Sequence, residues 1–205
     1  MYFDTIPFRH VSIIAFINQM GFVSLPCLMS SKNFIITGGP GSGKTAIINE
    51  LSQRGIPCFS EVARSVIIQE MHVQSDALPF KNVLAFTKKV VAKMQSDLTQ
   101  CTNDTINFFD RGIPDSAGYL IYENVKIPSY LDDAITNSNY EIDVFIAPYW
   151  QAIYSTDNQR IESAAKAKGI SEALRTVYKQ YGFNLIDIPF LPVADRVAFI
   201  LNRIN

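Results

Sequence analysis

Asn33-Phe34-Ile35-Ile36-Thr37-Gly38-Gly39-Pro40-Gly41-Ser42-Gly43-Lys44-Thr45-Ala46 is the stretch that decides the fold. A Gly, four free positions and then Gly-Lys-Thr is the spacing of a phosphate-binding P-loop. Such a loop needs a strand to deliver it and a helix to leave it, because consecutive loop N–H groups and the free donors of the first helical turn wrap the phosphates together. Both neighbours are present. Phe34, Ile35 and Ile36 are a short apolar run suited to a strand buried on both faces, and Ala46-Ile47-Ile48-Asn49-Glu50-Leu51 continues with helical spacing until Gly55. The competing reading is an ordinary Gly-rich turn.

Roles within the loop follow from chemistry. Gly38, Gly41 and Gly43 let the backbone approach phosphate with no Cβ in the way, and Gly39, Pro40, Ser42 and Ala46 complete the set of candidate nucleotide contacts. Lys44 is placed to reach the β- and γ-phosphates of ATP, with GTP an open alternative, and the Thr45 hydroxyl to ligate Mg²⁺.

Composition points to one nucleotide-binding domain over residues 31–205. With 48% hydrophobic and 18% charged residues and a formal net charge of −1, the chain has neither a basic field for nucleic acid nor an acidic tail. Cys27, Cys58 and Cys101 form no CxxC pair, so neither a disulfide framework nor a zinc site is suggested, and a reducing cytoplasm fits. Residues 1–30 differ from the rest. The apolar stretch Val11-Ser12-Ile13-Ile14-Ala15-Phe16-Ile17 is interrupted by Asn18, Gln19, Gly21 and Pro26 before the roughly 20 residues a bilayer requires. Arg9 and His10 mimic the start of a signal peptide, but no clean small-residue cleavage site follows. We expect either a poorly packed extension or a misassigned start, with Met29 as the true first residue and low order before Ser30.

Beyond the loop, apolar runs alternate with helical segments. This predicts an α/β fold, a three-layer doubly wound sheet of five parallel strands. The strands are expected at 33–37, 56–60, 105–109, 142–146 and 184–188, with a helix from Glu61, a long one from Phe80 to about Thr99, and a last one from Val193. In such sheets ligands bind beyond the carboxyl ends of the strands. Asp110, ending the third strand, is there the expected partner of Mg²⁺ and its water next to Thr45, or else a strand-terminating turn aspartate. Arg111 can hold a phosphate or substrate oxygen, or pair with Asp115 or Glu61. Asp115 is a candidate substrate contact or the N-terminal acid of a helix opened by Pro114. After the second strand, Glu61 can accept a proton from a substrate hydroxyl while Arg64 clamps an anion; alternatively Ser60 caps the helix, Glu61 favours its dipole and Arg64 is surface. Residues from about 149 to 170 are the expected lid, with Arg160 as its cation. A solvated charged helix is the alternative there. The base is expected to pass the segment Ile188-Pro189-Phe190-Leu191-Pro192.

Taken in order, these elements carry a family resemblance. The P-loop with Glu61-Val62-Ala63-Arg64, Asp110-Arg111-Gly112-Ile113-Pro114-Asp115, Phe145-Ile146-Ala147-Pro148-Tyr149-Trp150, Asp157-Asn158-Gln159-Arg160 and Arg196-Val197-Ala198-Phe199-Ile200-Leu201 resembles the NadR-like AAA-type ATPase domain family. The likeness runs from Lys32 onward. It implies a kinase-like P-loop NTPase related to the ribosylnicotinamide kinase domain of NadR and to eukaryotic relatives that bind GTP and phosphoinositide-type lipids. The adenylyltransferase half of NadR has no counterpart here, and its activity is not carried over.

Two classes of function are implied. The first is an ATP-dependent kinase acting on a nucleoside-like or other small hydroxyl acceptor, with Lys44, Asp110, Glu61 and Arg160 as its catalytic set. The second is a nucleotide-dependent switch with slow hydrolysis acting on a protein or lipid partner, although the sequence itself gives membrane contact no support. No Asn-Lys-x-Asp occurs to read guanine in the manner of a small GTPase.

Overall fold

The computed structural model describes residues 31–150 and 164–204. The expected extension over residues 1–30, Arg160 and most of the expected lid lie outside the described residues. Five strands, β1 (Lys32–Thr37), β2 (Cys58–Phe59), β3 (Ile106–Asp110), β4 (Tyr140–Ile146) and β5 (Asn184–Asp187), form a sheet in the order β2-β3-β1-β4-β5. All four pairings are parallel. Seven helices are described: α1 (Lys44–Gln53), α2 (Val62–His72), α3 (Val83–Leu98), α4 (Ile113–Tyr122), α5 (Ser129–Thr136), α6 (Ala164–Gln180) and α7 (Val193–Ile204).

Period-two alternation along the central strands divides the interior into two cores. Phe34 and Ile36 of β1, Phe108 of β3 and Phe145 of β4 pack with Ile47 and Leu51 of α1 and Val197 and Ile200 of α7. The intervening residues Ile35, Phe109 and Val144 turn to the other face, where α2, α3, α4, α5 and α6 cover them. The result is three layers, helices on both faces of a parallel sheet. Stacked rings reinforce each face. Phe34 and Phe108 lie 5.7 Å apart on one side, and Phe59 and Phe109 lie 4.5 Å apart and nearly parallel on the other. Among the described residues no helix is long and apolar enough to cross a membrane.

Where the structure departs from sequence expectation, local chemistry gives the reason. The second strand shrinks to Cys58–Phe59, because it lies at the sheet edge and Pro57 has no N–H to add to a ladder. The long helix starts at Val83, not Phe80, since the Asn82 side chain accepts from Ala85 N at 3.0 Å and fixes the start. Glu61 is the residue before α2 and makes no cap with its side chain, which leaves its carboxylate for another partner. The helix α5 was not anticipated.

Candidate active site

The carboxyl ends of β1, β2 and β3 meet at one place. Phe59 is in register with Phe109, and Ile36 with Asp110, so Glu61, Asp110 and the P-loop open onto the same edge. Within the loop, Gly38 has φ 137°, and a Cβ there would lie 2.2 Å from the Ala147 carbonyl oxygen. No other residue fits. Gly43, at φ 83°, turns the chain into α1 in place of a side-chain cap, so the first-turn N–H donors stay available to an anion. Ser42 Oγ donates to Gly39 O at 2.9 Å and holds the loop closed.

Lys44 is buried and donates to Gly39 O at 2.8 Å and to Ser42 Oγ at 3.3 Å. Burial, aided by the Arg111 charge, pulls its ammonium down to about 8. A phosphate replacing those neutral partners restores the charged form, because a fixed anion stabilises the ammonium that burial penalises.

Arg111 is the hub of the site. Its φ of 74° is left-handed for a non-glycine residue, and the bond from its N–H to Ile36 O at 3.0 Å holds that turn. A backbone outlier of this kind costs on the order of 1–3 kcal/mol and persists only where the surroundings over-determine it. They do so here. Nε donates to Glu61 Oε1 at 3.0 Å, while Nη1 donates to Gly38 O at 3.0 Å and Asp115 Oδ1 at 3.1 Å. Arg111 therefore pairs with both acids that sequence offered it, and also pins the first glycine of the P-loop. Asp115 in turn accepts from Thr37 Oγ1 at 2.6 Å, Tyr178 OH at 2.5 Å and Gly112 N at 2.9 Å. It is the acid of the first turn of α4, with both oxygens engaged by protein donors, which makes it a brace between β1, α4 and α6.

Burial pushes the Glu61 carboxyl up, but the Arg111 and Lys44 charges prevail and hold it below the usual carboxylate range. Asp110 goes the other way: burial raises it against the pull of Lys44 and Arg111. Its Oδ1 is buried without a hydrogen-bond partner. An acceptor oxygen orphaned at the end of β3, on the sheet edge where the exposed Thr45 follows Lys44, suits a cation or a cation-bound water, so the residues present fit Mg²⁺. Among the described residues there is no cluster of three or more His, Cys, Asp or Glu that could hold a metal by protein ligands alone.

A cleft of about 650 Å³ opens from the P-loop between α2, α3, α4 and α6. Lys44, Thr45, Glu61, Arg64, Arg111 and Asp115 all line it, together with apolar residues such as Phe86, Val90 and Leu174. A smaller hollow of about 330 Å³ lies toward α7, between Gly41, Gly43, Ala46 and Trp150, Leu191, Pro192, Val193 and Arg196. Arg196 donates to Ser42 O at 3.2 Å, its Nε is buried without a partner, and its guanidinium lies 6.0 Å from the centre of the Trp150 ring. Sequence reasoning pointed to 188–192 for the base but missed Arg196 and Trp150 as a site pair. Tyr178 and Thr37 were missed as well. The one signal for Tyr178 was a phenol at the helical spacing Leu174, Val177, Tyr178, which puts its hydroxyl on the buried face of α6.

Solved structures share this fold. The chain is similar to a deoxyadenosine kinase from M. mycoides with bound dATP, with a TM-score of 0.63 and 18% identity over 85% of this chain and 99% of the other. A thymidylate kinase from Ehrlichia chaffeensis has a TM-score of 0.58 and 12% identity over 86% of this chain and 100% of its own. For NadR in complex with NR the TM-score is 0.64 at 13% identity, and the match covers 85% of this chain and 50% of NadR. No curated protein matches the chain in sequence. The profile of a family described as an AAA domain matches residues 33–196, from the strand before the P-loop to the arginine beside its hollow. The fold is that of the P-loop kinases, and the chain belongs to this AAA domain family.

Proposed function

We propose that this protein is a kinase that transfers the γ-phosphoryl group of Mg-ATP to the hydroxyl of a nucleoside-like or other small acceptor, with GTP as an alternative donor. One observation carries the reading: a second cleft begins where Lys44, Glu61 and Arg111 meet and runs away from the P-loop, sharing Gly41, Gly43 and Ala46 of the loop with the hollow beside Arg196 but otherwise walled by different residues. A switch that only binds and hydrolyses nucleotide has no need of such a chamber; a two-substrate enzyme does.

The donor's phosphates lie in the P-loop under Lys44, and its base enters the hollow, where the Trp150 ring and Arg196 offer a face and a donor. Bound Mg²⁺ would neutralise charge on the β- and γ-phosphates, with Thr45 as ligand and Asp110 holding its water. Glu61 accepts a hydrogen bond from the acceptor hydroxyl and aims it at phosphorus. The acceptor oxygen bonds to the γ-phosphorus as the bridging bond to the β-phosphate breaks; ADP departs and the hydroxyl proton passes to Glu61. A weakly basic carboxylate suffices, since phosphoryl transfer runs through a loose transition state that asks for positioning more than for a strong base. Arg64 and Arg111 meet charge on the acceptor side, and Arg160 of the expected lid supplies a further cation. Glu61→Gln tests the assignment. Turnover should fall by about 100-fold while nucleotide affinity measured by calorimetry stays within about threefold, and wild-type turnover removes Glu61 from the chemistry.

A further inference from the structure

The acceptor cleft changes character along its length. Its charged side chains, Lys44, Glu61, Arg64, Arg111 and Asp115, gather at the P-loop end. Away from it the walls are Ile67 of α2, Phe86, Val90 and Met94 of α3, and Ile170 and Leu174 of α6. Among the described lining residues there is no Asn, Gln or His, and beyond Ser116 the polar side chains are the hydroxyls of Thr87 and Tyr119. The backbone offers little more, because these walls are helices whose N–H and C=O groups are spent on the helix itself. Asp115 has both oxygens engaged.

A nucleobase placed in this chamber brings several donors and acceptors on one edge and, among the described residues, meets at most two hydroxyls. Each buried polar group left unpaired costs roughly 5- to 150-fold in affinity. An apolar body gains instead, by about fourfold for each methylene it buries. The exposed rings and branches at the cleft's rim extend the same surface: Phe80 is 71% exposed and Ile68 64%, and both line the cleft.

We propose that the acceptor is an alcohol with an apolar body, aliphatic or aromatic, in place of a base-bearing nucleoside; this acceptor class rests on the protein being a kinase. Its hydroxyl lies at Glu61 and its body against Ile67, Val90 and Met94. The alcohol oxygen bonds to the γ-phosphorus of ATP, the β–γ bridging bond breaks, and the products are the alcohol's phosphate monoester and ADP. Its proton goes to Glu61 and then to water.

The test compares kcat/KM of the full chain with Mg-ATP for 2-phenylethanol, 3-methyl-2-buten-1-ol and 1-octanol against adenosine and thymidine, following ADP release and the phosphate ester by mass. At least one of the apolar alcohols should exceed the nucleosides by about tenfold or more. Ile67→Asn, which sets a carboxamide in the wall, should lower kcat/KM for the preferred alcohol by about tenfold with nucleotide affinity unchanged. Phe80→Ser, on the exposed rim, should raise KM for 1-octanol by about threefold even if the Ile67 variant fails to fold. A nucleoside preferred by about tenfold overturns the acceptor class and leaves the kinase reading standing. Wild-type KM in Phe80→Ser also overturns it, and ADP release that no acceptor of either kind stimulates overturns both readings.

Discussion

The two ends of the acceptor cleft are built on opposite principles. At the P-loop end, Arg111 is tied to Glu61 and Asp115, and Lys44 to its own loop, by hydrogen bonds between 2.8 and 3.3 Å, and one backbone outlier is held among them. At the far end, the walls that α2, α3 and α6 present to the cleft are apolar side chains, Ile67, Val90, Met94 and Leu174 among them. The first kind of wall fixes angles and charges; the second fixes volume. Substitutions at the charged end should therefore change stability and turnover, whereas those at the apolar end should change which acceptor is taken.

The largest break in that contrast is expected at Asp115. Asp115→Ala removes one of the two carboxylates that hold Arg111 and leaves Tyr178 and Thr37 without the acceptor they share, so unfolding in denaturant should show a loss of about 3–5 kcal/mol. A change below about 1 kcal/mol would make the network ornamental. Next is Lys44→Ala, for which calorimetry should show triphosphate affinity reduced by about 100-fold with the thermal midpoint little changed, as Lys44 bonds only to its own loop. A smaller effect is expected for Asp110→Asn: about tenfold in Mg²⁺-dependent turnover, with metal-free nucleotide binding nearly unaffected. Equal effects on both would assign the aspartate to structure. The smallest effect is on pH. Lys44 titrates at about 8 in the free protein, and a bound phosphate raises that value. Binding then takes up a proton above pH 8, so metal-free triphosphate affinity should be flat below about 8 and fall by at most about tenfold per unit above it. Affinity independent of pH from about 7 to 10 would contradict the buried-lysine geometry.

Much of this architecture was legible in the sequence because its signals are local. The P-loop spacing, the apolar run before it and the five strands each occupy a few consecutive residues. Element edges were less legible where one residue decides them, as Pro57 does for β2 and Asn82 for α3. The short α5 has helical spacing, with Leu131, Ala134 and Ile135 buried on one face, but eight residues hold only one such repeat and it was missed. Within the site, sequence placed Glu61, Arg111 and Asp115 near the loop but left open who pairs with whom. Those pairings join residues as far apart as Thr37, Asp115 and Tyr178, and no spacing rule links them. The apolar wall was invisible for a related reason: Val90 and Leu174 look like core residues in any helix, and only the packing of both α3 and α6 on α4 leaves a chamber between them.

The measurement that tests the central claim most directly is the fate of the γ-phosphoryl group. With purified protein, Mg-ATP and a panel of small hydroxyl compounds, ADP and phosphorylated acceptor should appear in equal amounts, and Lys44→Ala should produce neither. ADP matched by free phosphate, at a rate the acceptors do not change, would contradict the account and leave a nucleotide hydrolase with an unused cleft.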